Sequence, residues 1–551
     1  MARSNLNPLN PLNPLNASKS SKSSANPSRR DWLKWTVAAT APLAYSLTSA
    51  QAPLNHNPFT LGVASGSPNH HSVVLWTRLM PDAGSAQTQF ATSNVSVQWE
   101  VADDDNFKVN RRSGHVVALA SLAHSVHLEL EGLQSDRWYF YRFQWGDAQS
   151  AVGRTRTLPH PEAMVQKLRV AYASCQRWEH GYFSAYKHMA QENLDMVLFL
   201  GDYIYEYAGA ANAVRLPTGG WVTSLSDYRD RYALHKSEKD LQAMHAQCPW
   251  LVTWDDHEVS NDYAGLERGQ SGNISLDFAA QRARAYQAFY EHMPLRASAL
   301  TRSIDGLASG AEMRIYGQVA FGKLANIYLL DDRQYRDRQV CNKLGAYGSG
   351  FINPDQCQEW LDPKRSLLGT EQSQWLDQSF ANAQNDGRPW NVLAQQTIFG
   401  RRDFRLGAGY SLWNDGWDGY SAARHRMTQS MQSHALSNPV LIGGDVHENW
   451  VGHVMADAYQ DDSAKIGVEF CGAGITARAG GNAKIAARLA ENPHFIFADG
   501  ERKGYGVVTF TAKHIQTELR VVDDVRQAQT KIETLAKFAV EAGVPQVQRV
   551  L

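Results

Sequence analysis

The sequence contains apolar runs that end in side chains able to bind a metal ion or to transfer protons. One run ends at Leu200 and is followed by Gly201 and Asp202, with Tyr205 three residues later. Such an apolar run is typical of a buried strand in a parallel or mixed sheet. Gly201 would end this strand and place Asp202 at its carboxyl end, where open α/β sheets bind ligands. The alternative is a strand that ends in a solvated aspartate, and this run alone favours neither interpretation.

The same pattern recurs at three other strand-like runs, which cover residues 168–173, 250–254 and 440–442. Because the carboxyl ends of parallel strands lie at one edge of a sheet, the polar groups that follow these runs can converge on one site. With Asp202 and Tyr205, the candidate ligands and catalytic groups are Cys175, Asp255, Asp256, His257, Asn261, Asp445 and His447.

This set of side chains indicates a cluster of metal ions. Crowded carboxylates raise one another's pKa unless a cation compensates them. Oxygen ligands suit hard ions such as Ca²⁺, Mg²⁺ or Mn²⁺, and a thiolate with a phenolate favours Fe³⁺ at one position. A multi-metal cluster would provide a hydroxide nucleophile near neutral pH and would bind phosphate oxygens. The run from Asp255 to Glu258 lacks the histidine pair of a zinc-protease helix.

The composition excludes one class of partner and allows large cores. The chain has 551 residues and a formal net charge of -1, and 43% of its residues are hydrophobic. This length favours about two to four domains. Because a nearly neutral chain has no global basic field, we expect no nucleic-acid partner.

The N-terminal residues 1–52 have the order of an export signal. Residues 1–28 contain an Asn-Pro-Leu repeat and a Ser/Lys stretch, which predict disorder. Arg29 and Arg30 then precede a short apolar stretch and a small-x-small cleavage pattern. The arginine pair is similar to a twin-arginine signal, so we expect the twin-arginine translocase as a partner and the periplasm or extracellular space as the location. A membrane anchor is the weaker alternative because the stretch is short and contains Pro42, so the mature chain is expected to have no transmembrane segment.

The rest of the chain divides into a β-rich and an α/β region. Residues 53–160 contain alternating runs that predict a small antiparallel sandwich with a packing or positioning role. Over residues 161–525, strand-like runs alternate with amphipathic stretches, the pattern of layered α/β architecture. The last segment, 526–551, is predicted to form an amphipathic helix from Arg526 to Ala542.

The five cysteines leave at least one without a disulfide partner. Cys341 and Cys357 flank a loop-like stretch and could pair in an oxidising compartment. Cys175, Cys248 and Cys471 lie in or beside apolar runs, where buried and unreactive thiols are usual.

Together these motifs resemble the PhoD-like alkaline phosphatase and phosphodiesterase family of the metallophosphoesterase superfamily. The motifs that carry the resemblance are residues 59–68, 74–79, 174–176, 201–206, 255–258, 330–336, 369–372, 417–420 and 444–447. The resemblance implies an α/β fold in which a fibronectin III-like β-sandwich is followed by a calcineurin-like metallophosphoesterase domain with α/β/β/α layers. It also implies Fe³⁺ and Ca²⁺ as cofactors.

The resemblance implies roles for the candidate residues as well. Cys175 and Tyr205 would bind the iron, and Asp202 would bridge the metals. His257 would protonate the leaving alkoxide. The remaining ligands, without an assignment to either ion, would be Asp255, Asp256, Asn261, Asp445 and His447.

The resemblance implies that Arg333 binds the phosphoryl oxygens, and its guanidinium fork suits their geometry. The alternative is an ion pair with Asp331 or Asp332. Asp332 stands where the family usually has a threonine, and its negative charge would weaken phosphate binding.

The expected activity is hydrolysis of phosphate mono- or diesters, from small molecules or lipids, by a metal-bound hydroxide in an exported enzyme. One alternative is a phospholipase D-type phosphodiesterase, which would favour an apolar rim that Trp413 and Trp417 could provide. Another is a non-catalytic extracellular binding protein on the same core, which the intact set of candidate ligands disfavours.

Overall fold

The computed structural model describes residues 56–80, 92–269, 277–300, 312–342 and 346–550. The predicted disordered segment and export signal, residues 1–52, lie outside these ranges. Within these ranges no helix combines the length and the apolar character needed to cross a membrane.

The chain forms two large sheets, a smaller sheet near the N-terminus, a short ribbon and seven α-helices within the described residues. The strands of the first part are β1 (Val63–Gly66), β2 (Val73–Arg78), β3 (Val95–Ala102), β4 (Arg112–Ala118), β5 (Ser125–Leu130), β6 (Trp138–Trp145), β7 (Ala148–Gln149) and β8 (Gly153–Arg156). The next are β9 (Leu168–Ala173), β10 (Met196–Phe199), β11 (Trp250–Val252), β12 (Gly317–Phe321), β13 (Ala325–Leu329), β14 (Phe351–Ile352), β15 (Trp390–Ala394) and β16 (Leu412–Trp413). The last are β17 (Pro439–Gly443), β18 (Asn449–Met455), β19 (Lys465–Cys471), β20 (Phe495–Asp499), β21 (Gly504–Phe510), β22 (His514–Val522), β23 (Ile532–Glu541) and β24 (Gln548–Val550). The helices are α1 (Ala185–Met189), α2 (Leu225–Lys236), α3 (Lys239–His245), α4 (Phe278–His292), α5 (Gly369–Ala383), α6 (Ser421–Ser433) and α7 (Asn482–Glu491).

The two large sheets have parallel centres. The first has ten strands in the order β24-β23-β22-β21-β9-β10-β11-β1-β2-β5, and the second has seven in the order β12-β13-β15-β17-β19-β18-β20. Strands β9, β10 and β11 are parallel, as are β13, β15, β17 and β19. Strands β10, β13, β15 and β17 are buried along their whole length, as expected for strands covered on both faces.

The apolar cores show how the layers are stacked. Leu198 of the ten-stranded sheet packs in one core with Ile442 of the seven-stranded sheet, so the two sheets lie face to face. Successive residues of a strand point to opposite faces, and Phe199 therefore packs on the other side, in a core that includes Tyr232 of α2. Leu441 packs outward in a core with residues of α5 and α6. The order of layers is helices, sheet, sheet, helices.

The β-rich N-terminal region is present, but it is not separate from the α/β region. Strands β4-β3-β6-β7 form one sheet, and β8 pairs with β6. Opposite them, β1, β2 and β5 belong to the ten-stranded sheet, where Gly66 of β1 pairs with Trp250 of β11. Residues from both sides, such as Leu75 and Tyr141, share one apolar core. The predicted boundary at residue 160 therefore does not separate two independent sheets.

The predicted C-terminal helix over residues 526–551 is wrong. Residues 532–541 form strand β23, which pairs with β22 along its length. Ala536, Phe538 and Val540 are buried and the intervening Lys537 is exposed, which is the two-residue period of a strand. The apolar spacing of this segment is compatible with a helix in isolation. The segment is a strand because it pairs with β22.

Two further features concern loops of the α/β region. A disulfide joins Cys341 and Cys357, as the sequence allowed, while Cys175, Cys248 and Cys471 are free and buried. Helix α2, which we did not expect from the sequence, begins at a capping box in which the Ser224 side chain accepts the Asp227 N–H at 3.1 Å.

Candidate metal centre

The ends of four parallel strands meet at one place in the structure. Cys175 follows β9, Asp202 follows β10, Asp255 follows β11 and Asp445 follows β17. The first two ends are tied together, since Cys175 donates its backbone N–H to Gly201 O at 3.1 Å. The convergence that the sequence predicted is therefore present, and it involves both large sheets.

Glycines allow these strand ends to approach one another. Gly201 has a φ of +102°, and a Cβ there would lie 2.5 Å from the Asp255 Cβ. At Gly444 a Cβ would overlap the Ser174 hydroxyl, which belongs to the other sheet. Any side chain at these two positions would push the candidate ligands apart.

Several candidate ligands have a strained backbone. The φ angles are 54° at Cys175, 57° at Asp202, 67° at Asp445 and 58° at His447. Non-glycine residues rarely adopt this left-handed conformation, and it persists where the surrounding structure enforces it, often at functional sites. Four such residues around one point support a functional role for this region.

The side chains form three overlapping groups in which the possible ligand atoms lie within 4.8 Å of one another. Asp202 belongs to two of these groups and Asp256 also belongs to two, so each could bind two ions. The groups are Cys175 with Asp202 and His447, Asp202 with Asp256 and His257, and Asp255 with Asp256 and Asp445.

Tyr205 adds a phenol to the first group. Its hydroxyl donates to Asp202 Oδ2 at 2.8 Å and lies 3.2 Å from His447 Nε2. Burial, with the Asp202 charge, raises the pKa of the Tyr205 phenol and of the Cys175 thiol well above their ordinary values. A cation bound among these groups would favour the phenolate and the thiolate.

The carboxylates fit a metal site by a second criterion. Asp202 Oδ1, Asp255 Oδ2 and Asp256 Oδ1 are buried and have no hydrogen-bond partner among the described residues. A buried acceptor without a partner costs free energy, whereas coordinated cations would satisfy these oxygens. The residues present therefore fit a cluster of metal ions.

Comparisons with known proteins agree with this chemistry. The family model "PhoD-like phosphatase" matches residues 170–519, and "PhoD-like phosphatase, N-terminal domain" matches residues 44–159. The chain belongs to the PhoD-like phosphatase family. Alkaline phosphatase D of Bacillus subtilis (strain 168) is 44% identical over 493 residues, which cover 87% of this chain and 80% of that protein. A solved structure described as "Structure of PhoD" superposes with a TM-score of 0.82 at 42% identity, over 91% of this chain and 93% of that one.

These findings confirm the resemblance derived from the motifs. They also confirm that the chain is an enzyme of the phosphoric ester hydrolase class.

Arg333 of this PhoD-like phosphatase is buried among carboxylates. Its Nε donates to Asp255 Oδ1, and its Nη1 donates to Asp415 Oδ2 at 2.6 Å. Its Nη2 lies 3.6 Å from Asp256 Oδ1 and 3.5 Å from Asp445 Oδ1. Arg333 is therefore placed beside the candidate metal ligands, and its role in binding a phosphoryl group stays a prediction.

The alternative ion pairs of the Arg333 side chain with Asp331 or Asp332 do not form. Asp331 Oδ1 instead accepts the backbone N–H of Arg333 at 3.1 Å. Neither carboxyl oxygen of Asp332 has a partner among the described residues, and burial raises the pKa of Asp332 to about 7. Because the raised pKa opposes ionisation of Asp332, its expected repulsion of phosphate is weakened.

His257 and Asn261 lie at the same site and share a contact with Glu206. His257 Nδ1 is 2.7 Å from Glu206 Oε2, and the Asn261 backbone N–H donates to Glu206 Oε1 at 2.8 Å. Although burial opposes it, the charges of Asp256 and Glu206 raise the pKa of His257 well above its ordinary value. Asn261 Oδ1 accepts from the Tyr207 hydroxyl at 2.8 Å, and the role of Asn261 as a ligand stays a prediction.

Two carboxylates of the site were missed by sequence reasoning. Glu258 Oε2 accepts the backbone N–H of Asp202 at 3.1 Å and of Asp255 at 2.7 Å, and its Oε1 accepts that of Tyr203. Glu258 thus holds the ends of β10 and β11 together. The conspicuous Asp-Asp-His-Glu run contained it, but nothing local distinguished its role from that of its neighbours.

Asp415 is the second missed carboxylate. It accepts from Arg333 at 2.6 Å and from Arg336 at 2.7 Å. Although burial opposes it, these two guanidinium groups hold the pKa of Asp415 below its ordinary value. Asp415 lies in a glycine-rich loop with no apolar pattern, so the sequence contained no signal for it.

Proposed function

We propose that the protein is an exported, metal-dependent hydrolase of phosphate mono- or diesters. The observation that carries this proposal is the cluster of buried carboxylates, three of whose oxygens lack a partner among the described residues, around Arg333. Membership of a phosphatase family supports the same reaction class. A non-catalytic binding protein would have no need to keep this cluster and the strained backbone that builds it.

We propose Fe³⁺ and Ca²⁺ as the metals. Cys175 and Tyr205 supply the thiol and phenol that Fe³⁺ favours, and Asp202, which belongs to two of the groups, would bridge the ions. The remaining ligands would be Asp255, Asp256, Asn261, Asp445 and His447. When bound, the metals supply positive charge that activates water and binds phosphate oxygens.

The residues of the chain contribute binding and proton transfer. Arg333 would donate to phosphoryl oxygens, because its guanidinium is buried and its charge is little screened there. Glu206 holds His257 through Nδ1, which leaves Nε2 to donate a proton to the leaving oxygen. Asp415 would orient Arg333 through its contact with Nη1.

The test is hydrolysis of p-nitrophenyl phosphate and bis(p-nitrophenyl) phosphate, together with analysis of the bound metals. Asp202→Asn should lower the rate by orders of magnitude, since a neutral amide is a poor bridge between cations. Asp462→Asn is the matched control, because Asp462 is exposed and lies outside the site. Absence of activity in the metal-loaded protein would contradict the proposal, and full activity of Asp202→Asn would move the bridge elsewhere.

A phospholipase D-type activity is the second candidate, and an aromatic rim near the site favours it. Phe351 of β14 is 58% exposed, and its ring centroid lies 4.8 Å from that of Trp413 and 5.0 Å from that of Phe404. Trp413 is two residues from Asp415, the partner of Arg333. Trp417 does not contribute to the rim, because it is buried.

A comparison of long-chain and short-chain phosphatidylcholine tests this second candidate. Phe351→Ser should weaken hydrolysis of the long-chain lipid and leave bis(p-nitrophenyl) phosphate unaffected. Equal rates on both lipids in the unchanged protein would remove the support for a lipid substrate.

Export through the twin-arginine translocase is also proposed, on the strength of Arg29, Arg30 and the residues that follow them. Replacing both arginines by lysine should retain active protein inside the cell, and cell fractionation measures this. We further propose that the two-sheet core is of the calcineurin-like type and that the N-terminal sheets correspond to a fibronectin III-like sandwich.

A further inference from the structure

A cavity of about 450 Å³ lies beside the candidate metal centre. Its lining includes His180, Thr476, Arg478, Lys503 and the loop of residues 523–526 that follows β22. None of these residues belongs to the metal centre or to the groups assigned to catalysis above. The cavity is therefore distinct from the candidate metal centre.

Direct contacts join the lining to the candidate ligands. Lys503 Nζ donates to the backbone oxygen of His447 at 2.5 Å, and the Thr476 N–H donates to the Cys175 oxygen at 3.3 Å. The cavity and the metal centre thus share a wall.

The wall of the cavity next to the centre presents hydrogen-bond donors. Arg478 is exposed and forms no ion pair with the carboxylates of the described residues. His180 Nδ1 accepts the Arg478 backbone N–H at 2.9 Å, so the neutral ring carries its proton on Nε2 and is a donor there. Lys503 adds a third positive or donating group, already held by two backbone oxygens.

The acidic residues of the lining are already engaged. Asp524 accepts from Arg526 at 2.9 Å, and Asp523 accepts the backbone N–H of Lys531 at 3.0 Å. Glu501 accepts the backbone N–H of Asn482 at 3.0 Å. These carboxylates already accept hydrogen bonds, whereas the Arg478 guanidinium has no ion-pair partner among the described residues, so Arg478 is the cation of the lining that is available to an anion.

We infer that this cavity is a second oxyanion subsite, in which Arg478 and His180 bind a second phosphoryl group of the same substrate. The inference rests on the proposed hydrolase function and specifies its substrate class as esters that carry two phosphoryl groups. Arg478 is a specificity residue here, since it does not touch the reacting phosphorus.

The experiment compares propyl phosphate with a series of bisphosphates of 1,2-ethanediol, 1,3-propanediol and 1,4-butanediol. Each is measured as a competitive inhibitor of p-nitrophenyl phosphate hydrolysis, and by calorimetric titration of the metal-loaded protein. At least one bisphosphate should bind about tenfold more tightly than propyl phosphate, the effect expected of a charge-assisted hydrogen bond. Arg478→Ala should remove this advantage, Arg478→Lys should keep part of it, and neither should change the inhibition by propyl phosphate.

The matched control is Arg111→Ala, because Arg111 is half exposed in the N-terminal sheets and does not line the cavity. Equal affinity for all bisphosphates and propyl phosphate would overturn the subsite. An equal loss for both ligands in Arg478→Ala would also overturn it, since Arg478 would then act at the metal centre. Inorganic phosphate that abolishes the bisphosphate advantage without competing with propyl phosphate would support the subsite, because the free anion would then compete only with the second phosphoryl group. Calorimetry keeps these outcomes distinct from a failure of the hydrolase proposal, which would appear as absence of p-nitrophenyl phosphate hydrolysis.

Discussion

At the scale of single residues, Glu258 has a structural role in the site, although it belongs to none of the candidate ligand groups. Its two carboxyl oxygens accept three backbone N–H groups, from Asp202, Tyr203 and Asp255. Burial, with the Asp202 charge, raises the pKa of Glu258 to about 8 while these N–H groups oppose the shift. The Glu258 side chain thus uses its hydrogen bonds to fix the backbone of two candidate ligands, Asp202 and Asp255.

Glu258→Gln should therefore damage both stability and activity. A glutamine amide directs an NH₂ group at one or more of the three donors, and an unpaired buried donor costs about 2 kcal/mol. The measurement is the free energy of unfolding in denaturant, with the rate of p-nitrophenyl phosphate hydrolysis as the second readout. Glu518→Gln is the control, because Glu518 lies on β22, away from the site. A glutamine variant with unchanged stability would contradict the role given to these three hydrogen bonds.

Tyr205 and Cys175 provide a spectroscopic prediction that does not depend on turnover. If both bind Fe³⁺, the purified protein should show a visible charge-transfer band. Tyr205→Phe should weaken or remove this band, because the phenolate oxygen is lost, and an absorption spectrum with iron analysis measures it. Tyr410→Phe is the matched control, since Tyr410 lies outside the candidate ligand groups. An iron(III)-loaded protein without colour would contradict the assignment of these ligands.

At the scale of elements, helix α2 contains a buried lysine, Lys236, where the helix packs against strand β2. Lys236 is 1% exposed, and its Nζ lies 4.3 Å from the ring centroid of Trp76 and 5.3 Å from that of Tyr203. Burial lowers the pKa of Lys236 to about 7. The contact between the N-terminal strands and the helical layer thus contains a titratable group far from its ordinary range.

This lysine should make stability depend on pH. Between about pH 7 and pH 10.5 the unfolded chain keeps the ammonium while the folded protein holds the neutral amine, so unfolding takes up a proton. Stability from this group should therefore rise by about 2 kcal/mol from about pH 7 to about pH 9. Lys236→Met should abolish this rise, and the difference between the two proteins in denaturant unfolding at each pH measures it.

Lys484→Met serves as the control for general effects of charge, because Lys484 is exposed on α7. It should show the same pH dependence as the unchanged protein. A Lys236→Met variant that still gains stability over this interval would show that another group is responsible.

At the scale of the whole molecule, the ten-stranded sheet joins the β-rich region to the α/β region. Strands β1, β2 and β5 extend it beyond β11, and the same strands share an apolar core with β3 and β6. Strand pairing and a common core thus cross the boundary between the two regions, whereas few contacts cross a flexible linker between domains. The two regions should therefore unfold together.

Scanning calorimetry of the metal-loaded protein should therefore show one cooperative unfolding transition rather than two. The reason is that unfolding of the N-terminal strands would expose the edge of β11 and the apolar face beneath it. Two transitions, the first of which removes only the N-terminal region, would contradict this expectation.

The sequence by itself determined the parts of the protein that are encoded locally. Apolar runs followed by Cys175, Asp202, Asp255 or Asp445 were sufficient to predict strand ends that carry candidate ligands, because the burial of a strand and the turn that ends it depend on neighbouring residues. The same motifs were sufficient to identify the family, which the comparisons confirm. Ligand chemistry at a strand end is a local property, so it could be predicted.

Only the tertiary structure decided which distant groups meet. Asp415 pairs with Arg333 across 82 residues of sequence, and no local pattern identifies such a partner. Residues 532–541 became strand β23 because β22 offered an edge for pairing, which overrode a spacing compatible with a helix. The cavity next to the metal centre likewise joins Arg478 to His180 across 298 residues, so its chemistry exists only in the folded chain. Hydrogen bonds and ion pairs between distant segments depend on the final packing, which a sequence pattern does not contain.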